Sequence, residues 1–454
     1  MEKMENIQIK KKIHFVGVGG IGMSAQAMHE HFNGNIVSGS DPYSSDTTKH
    51  LESIGVKVFH SHEEKNVENV DEVIVTPAIS KTNPEYVKAQ ELGIPITMRI
   101  DHFRRILEPF RGFAVTGTDG KSTTTSMLAN SLINLGADPY VFLGALHNKL
   151  EHGNYRHGKS DIAVYELDES QPGYELFRPE FLIITNIRED HVENYQSLEH
   201  YYSSFETLIK NSKFVVTFAD EKKFKGNVTF GVYSGDFKLV ERKQEGFYQT
   251  VTIFTPYGER KFFLPVPGYH NALNALAVIS LLSSIGYNID KVLDSFEDFR
   301  LPGRRFNVSY DNPSRKITIV DDYAHTADEI EVLLKTSREV YPERKIVLIF
   351  QPHRYTRFKR EAERFKRILQ SADEIYITEI YGAFETKNGV TAKNIVSEIA
   401  KAIFVEKIED LKNIELQDNA VYMFVGAGNI YNISREIVAG LNTASGNRGE
   451  SSDT

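Results

Sequence analysis

A short glycine-containing turn carries the residues with the clearest chemistry in this chain. Its members follow an apolar stretch and precede a helical pattern: Gly117, Thr118, Gly120, Lys121, Ser122 and Thr123. Glycines let backbone amides approach phosphate oxygens, a lysine can reach the β- and γ-phosphates of a nucleotide, and a serine hydroxyl suits Mg²⁺. The usual phosphate-loop spacing is shortened at its front, but a Lys-Ser pair after such a turn has little structural purpose. We therefore interpret the turn as a nucleoside triphosphate site.

Two later apolar segments end in side chains suited to metal binding. The segment 162–165 precedes Glu166, and the segment 181–185 leads to His191. Ligands of open α/β sheets bind at the carboxyl ends of the strands, and Mg²⁺ prefers carboxylate oxygens. A lone acidic or histidine side chain is usually a surface or capping group. Three consecutive strands that end in such residues favour one shared site, with Glu166 as a metal ligand.

A second glycine-rich turn lies near the N-terminus. Gly17, Gly19 and Gly22 follow a short apolar strand in the pattern G-x-G-x-x-G, Gly20 lies between them, and Asp41 comes about twenty residues later. The pattern alone would suggest NAD, but a lone match is weak and nothing downstream supplies hydride chemistry. Such a loop offers a helix N-terminus to a pyrophosphate, and Gly22 also allows close packing of helix on strand.

The elements that must position these residues form an α/β pattern. Short apolar strands alternate with amphipathic helices in three series, which predicts mostly parallel sheets with helices on their faces. We predict domains over residues 1–108, 109–303 and 304–441, and a disordered tail over 442–454. The outer two should be Rossmann-like and the middle one a phosphate-loop domain. Residues 227–264 alternate apolar and polar, which predicts an antiparallel hairpin layer on the middle domain.

Composition excludes several classes of function. The 454 residues have a formal net charge of -9, which argues against a nucleic-acid binder, and the absence of cysteine excludes disulfides and thiolate metal sites. The first twelve residues are charged rather than apolar, and the most apolar run, 273–285, is too short and polar for a membrane span. We expect a cytoplasmic protein without membrane or nucleic-acid partners, with a weak homodimer as a possible assembly.

In their order along the chain, these segments resemble the Mur ligase family of amide-forming enzymes. The phosphate loop, Glu166 and the segment 186–191 match its middle domain. Further matches are His270-Asn271-Ala272-Leu273-Asn274, Arg304-Arg305-Phe306 and Asp321-Asp322-Tyr323-Ala324-His325. The segments 351–357 and 426–428 are characteristic of the branch that adds alanine. The resemblance covers roughly residues 13–438, and the joint order of the motifs is more specific than any one of them.

The resemblance implies an ATP-dependent ligase that uses Mg²⁺, UDP-N-acetylmuramic acid and L-alanine. Its implied catalytic residues are Lys121, Glu166, His191, Arg305 and Asp322, and its implied metal ligands are Ser122, Glu166 and His191. The implied ATP-binding residues are Gly117, Thr118, Gly120, Lys121, Ser122, Thr123, Asn271, Asn274, Arg305 and Asp322. The implied substrate-binding residues are Gly17, Gly19, Gly20, Gly22, Asp41 and Thr76 for the sugar nucleotide, and Tyr323, His325 and Arg357 for alanine.

Several alternatives stay open at this point. A ligase that attaches a preformed peptide to the same sugar nucleotide, and a regulator that binds nucleotides without catalysis, are the two rival functions. Thr76 could equally belong to a simple turn, and His353 and Arg354 could serve alanine binding or only packing. Asp119 stands where this branch usually has histidine, and a carboxylate beside phosphate is unfavourable.

Three histidines lie in the glycine-containing segment 147–159, where contacts to the sugar are uncertain. They are His147, His152 and His157. The helical spacing of a zinc motif is not credible in such a segment. We therefore expect solvated loop residues rather than metal ligands.

Overall fold

The computed structural model describes residues 10–189, 194–383, 385–387 and 389–446. The chain divides into two compact units. One holds the residues up to Glu241 together with Val251–Phe263 and Ala272–Arg300. The other holds Arg242–Thr250, Leu264–Asn271 and the residues from Leu301 onward.

The first sheet is built entirely from parallel strands, in the order β3-β2-β1-β4-β5. Its strands are β1 Lys12–Val16, β2 Ile36–Ser40, β3 Lys57–Phe59, β4 Glu72–Val75 and β5 Ile96–Met98. Its helices are α1 Ile21–Phe32, α2 Asp46–Ser53, α3 Pro84–Glu91 and α4 Arg99–Leu107. Local sequence explains two helix starts, since Ser45 forms a capping box with Thr48 and Asn83 caps the helix that begins at Pro84. The 17–22 loop follows β1 directly, so it lies at the carboxyl end of that strand and leads into α1.

The second sheet has ten strands in the order β15-β14-β13-β12-β11-β10-β6-β9-β7-β8. They are β6 Arg111–Thr116, β7 Tyr140–Phe142, β8 Tyr155–Arg156, β9 Ile162–Glu166, β10 Phe181–Ile184, β11 Phe214–Phe218, β12 Val228–Gly231, β13 Phe237–Glu245, β14 Tyr248–Thr255 and β15 Gly258–Leu264. The helices are α5 Lys121–Asn134, α6 Leu198–Asn211, α7 Tyr269–Ser284 and α8 Ile289–Asp294. Strand β6 pairs in parallel with both β9 and β10, so the three segments that carry the site residues lie side by side.

The hairpin layer predicted over residues 227–264 is present only for β13 to β15, at one end of this sheet; the prediction was wrong for β12, which pairs in parallel with both β11 and β13. Neighbouring strands β13, β14 and β15 are each joined by two residues, a connection that only antiparallel strands can make. In β14 the side chains of Gln249, Val251, Ile253 and Thr255 are buried and alternate with more exposed ones. Side chains of a strand point alternately to the two faces of its sheet, so this alternation indicates that one face is buried and the other is more exposed.

The third sheet has the strand order β16-β17-β21-β18-β19-β20. Its strands are β16 Asn307–Asn312, β17 Ile317–Asp322, β18 Lys345–Phe350, β19 Glu374–Thr378, β20 Ala402–Val405 and β21 Ala420–Val425. Only the edge strand β16 is antiparallel. The helices are α9 Ala327–Val340, α10 Tyr355–Arg360, α11 Ala362–Leu369, α12 Ala392–Val396 and α13 Ile430–Gly446.

The hydrophobic cores explain why two units contain three sheets. A single cluster of buried side chains runs from Phe15 in the first sheet to Phe205 beside the second. Because those two sheets share one apolar core, they separate less readily than their sequence patterns suggest. The predicted α/β class and the three sheets are confirmed, while the exact domain boundaries stay a prediction.

One expectation about the C-terminus was wrong in part. Residues 442–446 belong to α13 rather than to a disordered tail, because the helix continues to Gly446. Val438 and Leu441 pack against the core of the third sheet, which extends the helix past the predicted boundary. Residues 447–454 lie outside the described residues. Among the described residues, no helix combines the length and apolar character needed to cross a bilayer.

Candidate active site

The phosphate-loop turn is closed so tightly that its glycines cannot be replaced. Gly117 has φ +127°, and a Cβ there would lie 2.2 Å from Oγ1 of Thr185 and 2.7 Å from the backbone oxygen of Asn186. Gly120 has φ +79° and caps α5, and its added Cβ would lie 2.7 Å from Oδ1 of Asn274. Both conformations are in the left-handed region that favours glycine. The turn therefore presents bare backbone at the start of α5, as a phosphate site requires.

Asp119 points away from the start of the helix, which accounts for a carboxylate in this loop. Its Oδ2 lies 3.2 Å from a guanidinium nitrogen of Arg188. Its backbone N–H donates to Oδ1 of Asn186 at 3.0 Å, and its carbonyl accepts from Thr185 Oγ1 at 2.7 Å. The charge is thus matched by an arginine from the end of β10, and the backbone of Asp119 ties the loop to that strand.

Lys121 is held by the loop and by Glu169, a carboxylate just after the end of β9 to which the sequence analysis assigned no role. Its Nζ donates to the carbonyl oxygens of Gly117 at 2.8 Å and Thr118 at 3.0 Å, and lies 2.7 Å from Oε2 of Glu169. Glu169 is fully buried, and burial raises the pKa of its carboxyl although Lys121 opposes the shift. Burial would lower the pKa of Lys121, but Glu169, Asp168 and Glu166 together raise it. The lysine therefore keeps its positive charge.

Ser122 and Glu166 form the oxygen pair predicted for a metal. The hydroxyl of Ser122 donates to Oε2 of Glu166 at 2.8 Å, across the gap between α5 and β9. Gly144 leaves room for this carboxylate, since a Cβ at Gly144 would lie 2.6 Å from the same oxygen. A hydroxyl and a carboxylate oxygen suit Mg²⁺, which keeps several waters and takes further oxygens from phosphate. The two side chains thus fit the ion, and His191, the third predicted ligand, lies outside the described residues.

The remaining predicted ATP residues lie on the loop or on α7. Thr118 donates its backbone N–H to the carbonyl of Asn186, and Thr123 is buried in the first turn of α5. Asn274 is buried beside Gly120, as described above. Asn271 lies one turn earlier on α7, and its amide donates to the carbonyl of Pro267 at 2.7 Å. Asn274 therefore lies at the nucleotide loop, whereas the side chain of Asn271 fastens the start of its own helix.

The N-terminal glycine loop is shaped by backbone contacts and by Asp41. Gly17 adopts φ +82° and accepts a hydrogen bond from the backbone N–H of Gly20. Oδ2 of Asp41 accepts from the N–H of Gly19 at 3.1 Å, and a Cβ on Gly19 would lie 2.7 Å from that oxygen. Asp41 therefore holds the loop closed, a role the sequence did not reveal. Thr76 accepts from the N–H of Ala78, which favours the simple-turn interpretation for its side chain.

Asp322 and Arg305 lie together at the end of β17. Asp322 is buried, and its two oxygens accept from the backbone N–H groups of Phe306 at 2.6 Å and Ala324 at 2.8 Å. Burial raises the pKa of its carboxyl, while Arg305 and the two amide donors oppose the shift. The guanidinium of Arg305 lies 5.0 Å from the ring centre of Tyr323. Two residues predicted for the ATP site thus adjoin a residue predicted for alanine.

The predicted alanine residues form one cluster in the same unit. The rings of His325 and His353 have centres 5.7 Å apart, and Arg357 is buried nearby, close enough to affect both. Burial, together with the neighbouring His325 and Arg357, lowers the pKa of His353 to about 4. Burial also lowers the pKa of His325, against the opposing effect of Glu329. Two neutral imidazoles beside a guanidinium suit a small anionic ligand better than a cationic one.

Two carboxylates position this cluster and were not predicted. Glu329 completes a capping box with Thr326, and its Oε2 lies 3.2 Å from Nδ1 of His325. Glu385 binds Nε of Arg354 at 2.8 Å and the backbone N–H of Thr356 at 3.0 Å. Arg354 therefore has an ion-pair role, whereas His353 lies within the cluster. The capping-box pattern Thr-x-x-Glu could have revealed Glu329, but no local pattern marks Glu385.

The expectation for the histidines of segment 147–159 was wrong. His147 is only 5% exposed, and its Nε2 lies 2.9 Å from the carbonyl oxygen of Arg300. His152 stacks on Phe32 with ring centres 4.5 Å apart, and His157 lies 3.0 Å from the hydroxyl of Tyr155. His152 and His157 are partly buried where Phe32 of the first sheet's helix α1 meets the second sheet, whereas His147 is buried beside Phe299. Among the described residues, no group of three or more side chains suited to a metal ion is present.

Three models of protein-family domains match consecutive parts of the chain and together cover most of it. The model for the Mur ligase family, catalytic domain, matches residues 12–111. The model for the Mur ligase middle domain matches residues 115–282, and that for the Mur ligase, glutamate ligase domain, matches residues 304–428. Each match contains one of the three sheets or most of it.

Individual relatives share both sequence and structure with the chain. A UDP-N-acetylmuramate–L-alanine ligase of Thermotoga petrophila is 48% identical over 94% of this chain and 96% of its own length. The crystal structure of a UDP-N-acetylmuramate-alanine ligase from Thermotoga maritima superposes with a TM-score of 0.88 at 44% identity, covering 96% of this chain and 100% of that one. A murein peptide ligase from Psychrobacter arcticus has a TM-score of 0.71 at 19% identity, over 94% and 98% of the two chains, and shares the fold.

Proposed function

Because the chain belongs to the Mur ligase family, we propose that it joins L-alanine to UDP-N-acetylmuramic acid at the expense of ATP, in the synthesis of peptidoglycan precursors. The observation that carries the proposal is the 48% identity, over 94% of the chain, to a relative that bears this activity in its name. The geometry supports it, since a lysine, a serine and a carboxylate converge at a phosphate loop. The peptide-attaching rival has much weaker support, because the murein peptide ligase is only 19% identical.

The proposed reaction has two steps. The lactyl carboxylate of the sugar nucleotide attacks the γ-phosphate of ATP, the bond to ADP breaks, and an acyl phosphate forms. The free amine of alanine then attacks the acyl carbon, and phosphate leaves as the amide forms and the amine loses a proton. Neither step needs a covalent enzyme intermediate, so the protein acts by positioning and charge neutralisation.

The residues of the first unit serve the phosphoryl transfer in this proposal. Lys121 leaves the loop carbonyls and neutralises charge on the transferring phosphoryl group. Ser122, Glu166 and His191 would hold Mg²⁺, and the bound ion would supply further charge neutralisation for the phosphate oxygens. The diphosphate of the sugar nucleotide binds at the N-terminal end of α1, and the 17–22 loop, which Asp41 holds closed through the N–H of Gly19, leads into that helix.

The residues of the second unit serve alanine and the ATP ribose or phosphates. Asp322 and Arg305 contact the ribose or phosphates of ATP. Tyr323, His325 and Arg357 surround the amino acid. The guanidinium of Arg357 binds its carboxylate, because a planar fork can pair both carboxylate oxygens. The neutral imidazole of His325 adds no second positive charge that would repel the ammonium form of alanine.

Changing Arg357 should affect alanine binding more than turnover. Arg357→Ala is expected to raise the KM for alanine by roughly 10- to 150-fold with little change in kcat, since a hydrogen-bonded charge of this kind is worth about 1.5–3 kcal/mol. Arg357→Lys should recover only part of the loss, because an ammonium cannot form the paired hydrogen bonds. Steady-state phosphate release at saturating ATP and sugar nucleotide measures both constants. A drop in kcat at unchanged KM would contradict the assignment.

The substrate assignment is tested with a panel of acceptors. We expect ATP hydrolysis only when both UDP-N-acetylmuramic acid and an amino acid are present, with L-alanine preferred. Glycine should be poorer by roughly 10- to 200-fold, since it lacks one methyl group worth about 1–3 kcal/mol in a small pocket. Preference for the tripeptide L-Ala-γ-D-Glu-diaminopimelate would establish the peptide-attaching rival. Nucleotide binding without hydrolysis under any combination would establish the regulator.

A further inference from the structure

Arg99 lies against the N-terminal glycine loop and plays no part in the roles described so far. It is the first residue of α4, and its guanidinium reaches the first turn of α1. A Cβ on Gly22 would lie 2.5 Å from Nη1 and 3.2 Å from Cζ of that guanidinium. The third glycine of the loop therefore makes the space that the arginine occupies.

The other side of Arg99 is held by the segment that follows β9. Nη2 of Arg99 donates to Oε1 of Gln171. The amide nitrogen of Gln171 in turn donates to Oδ2 of Asp168 at 3.3 Å, so the orientation of the amide is set from both ends. This chain of contacts connects the glycine loop to the strand end that carries Glu166.

The electrostatic setting of Arg99 is unfavourable without a ligand. A cation at the first position of a helix opposes the positive N-terminal end of the helix dipole, and Arg99 meets two such ends, those of α4 and α1. Within the described ranges, no carboxylate lies within ion-pair distance of its guanidinium, and Asp168 acts on it only from farther away. Burial accordingly lowers the pKa of Arg99. Such a departure from local electrostatic preference is typical of a binding site for an anion.

We propose that Arg99 binds the diphosphate of the sugar nucleotide at the N-terminal end of α1, beside the 17–22 loop, and that Gln171 is a positioning residue that aims its guanidinium. The inference rests on the proposed function, since the sugar nucleotide supplies the anion. The diphosphate is favoured over the lactyl carboxylate because the guanidinium contacts the first turn of α1, at the positive end of that helix dipole, where a pyrophosphate binds after a glycine loop of this pattern. A guanidinium can also pair two phosphate oxygens at once.

The test is a calorimetric comparison of four proteins with three ligands. Wild type, Arg99→Met, Arg99→Lys and Arg104→Met are titrated with UDP-N-acetylmuramic acid, UDP-N-acetylglucosamine and ATP. Arg104 is the matched control, because it lies on the same helix and its one ion-pair partner among the described residues is Asp101 in the first turn of that helix. UDP-N-acetylglucosamine keeps the diphosphate and lacks the lactyl carboxylate, so it separates the two anions.

We expect Arg99→Met to weaken both sugar nucleotides by roughly 10- to 150-fold and to leave ATP unchanged. Arg99→Lys should fall between this variant and wild type, and it decides the question if the methionine variant does not fold. A loss confined to UDP-N-acetylmuramic acid would assign Arg99 to the carboxylate and overturn the proposal. Unchanged affinities, or an equal loss for ATP, would overturn it too. Failure of the wild type to bind UDP-N-acetylmuramic acid would instead refute the proposed function.

The role of Gln171 is tested by a double-mutant cycle. Gln171→Ala should weaken both sugar nucleotides by roughly 3- to 10-fold in the wild-type background and have no further effect beside Arg99→Met, because the two residues act as one contact. A purely structural role would produce the same loss in both backgrounds. That result would contradict the positioning role while leaving the titrations of the Arg99 variants as the test of the arginine itself.

Discussion

Lys121→Met is expected to lower kcat/KM for ligation by roughly 10³- to 10⁵-fold, the range observed when a cation is lost from a transferring phosphoryl group. Methionine is similar to lysine in length but carries no ammonium group, so the substitution removes the positive charge and keeps most of the side-chain volume. Because the 17–22 loop lies on another sheet, the affinity for UDP-N-acetylmuramic acid should change little. Phosphate release gives the rate, and calorimetry gives the affinity.

The same substitution has a second effect that must be separated from the first. It leaves Glu169 buried without its partner, and breaking a buried ion pair costs about 3–5 kcal/mol of stability. This value is an upper bound, because burial already raises the pKa of Glu169 and the carboxyl can take up a proton. The double variant Lys121→Met/Glu169→Gln should therefore be more stable than the single variant and equally inactive. Recovery of activity in the double variant would show that Lys121 has only a structural role.

Glu166→Gln is expected to weaken the response to Mg²⁺ strongly. Glutamine has nearly the same size as glutamate, and its side-chain oxygen can still accept a hydrogen bond from Ser122. The substitution removes only the negative charge, which a hard divalent cation prefers in its ligands. The Mg²⁺ concentration for half-maximal phosphate release should rise at least tenfold, and kcat/KM should fall roughly 10²- to 10³-fold. Glu259→Gln, an exposed change on β15 with the same loss of charge, should behave as wild type. An unaltered Mg²⁺ dependence in Glu166→Gln would remove this residue from the metal site.

The parts of the fold that follow local rules were predictable from sequence. Strand periodicity and turn residues predicted three α/β series, and all three sheets are present. Glycines with special backbone geometry, such as Gly117 and Gly120, marked the phosphate loop because few other residues adopt those conformations. The pairing of Ser122 with Glu166 followed from parallel strands that end at one edge of a sheet.

The parts that were missed depend on side chains that meet from distant segments. Glu169 reaches Lys121 only because β9 and α5 are neighbours, and sequence gives no measure of its burial. Arg188 neutralises Asp119 from the end of β10, and Glu385 holds Arg354 from the segment after β19. His152 was expected in solvent because its segment is polar, but stacking on Phe32 of α1 covers it. Such contacts arise from tertiary packing, which periodicity does not encode.

The central claim is that this chain activates the lactyl carboxylate by transfer of the γ-phosphoryl group and then passes the acyl group to alanine. UDP-N-acetylmuramic acid labelled with a heavy oxygen isotope in that carboxylate tests it most directly. The account predicts that each turnover with ATP and L-alanine moves one labelled oxygen into the released phosphate, as mass spectrometry would detect. Release of unlabelled phosphate alongside the alanine adduct, or of phosphate without any adduct, would contradict it.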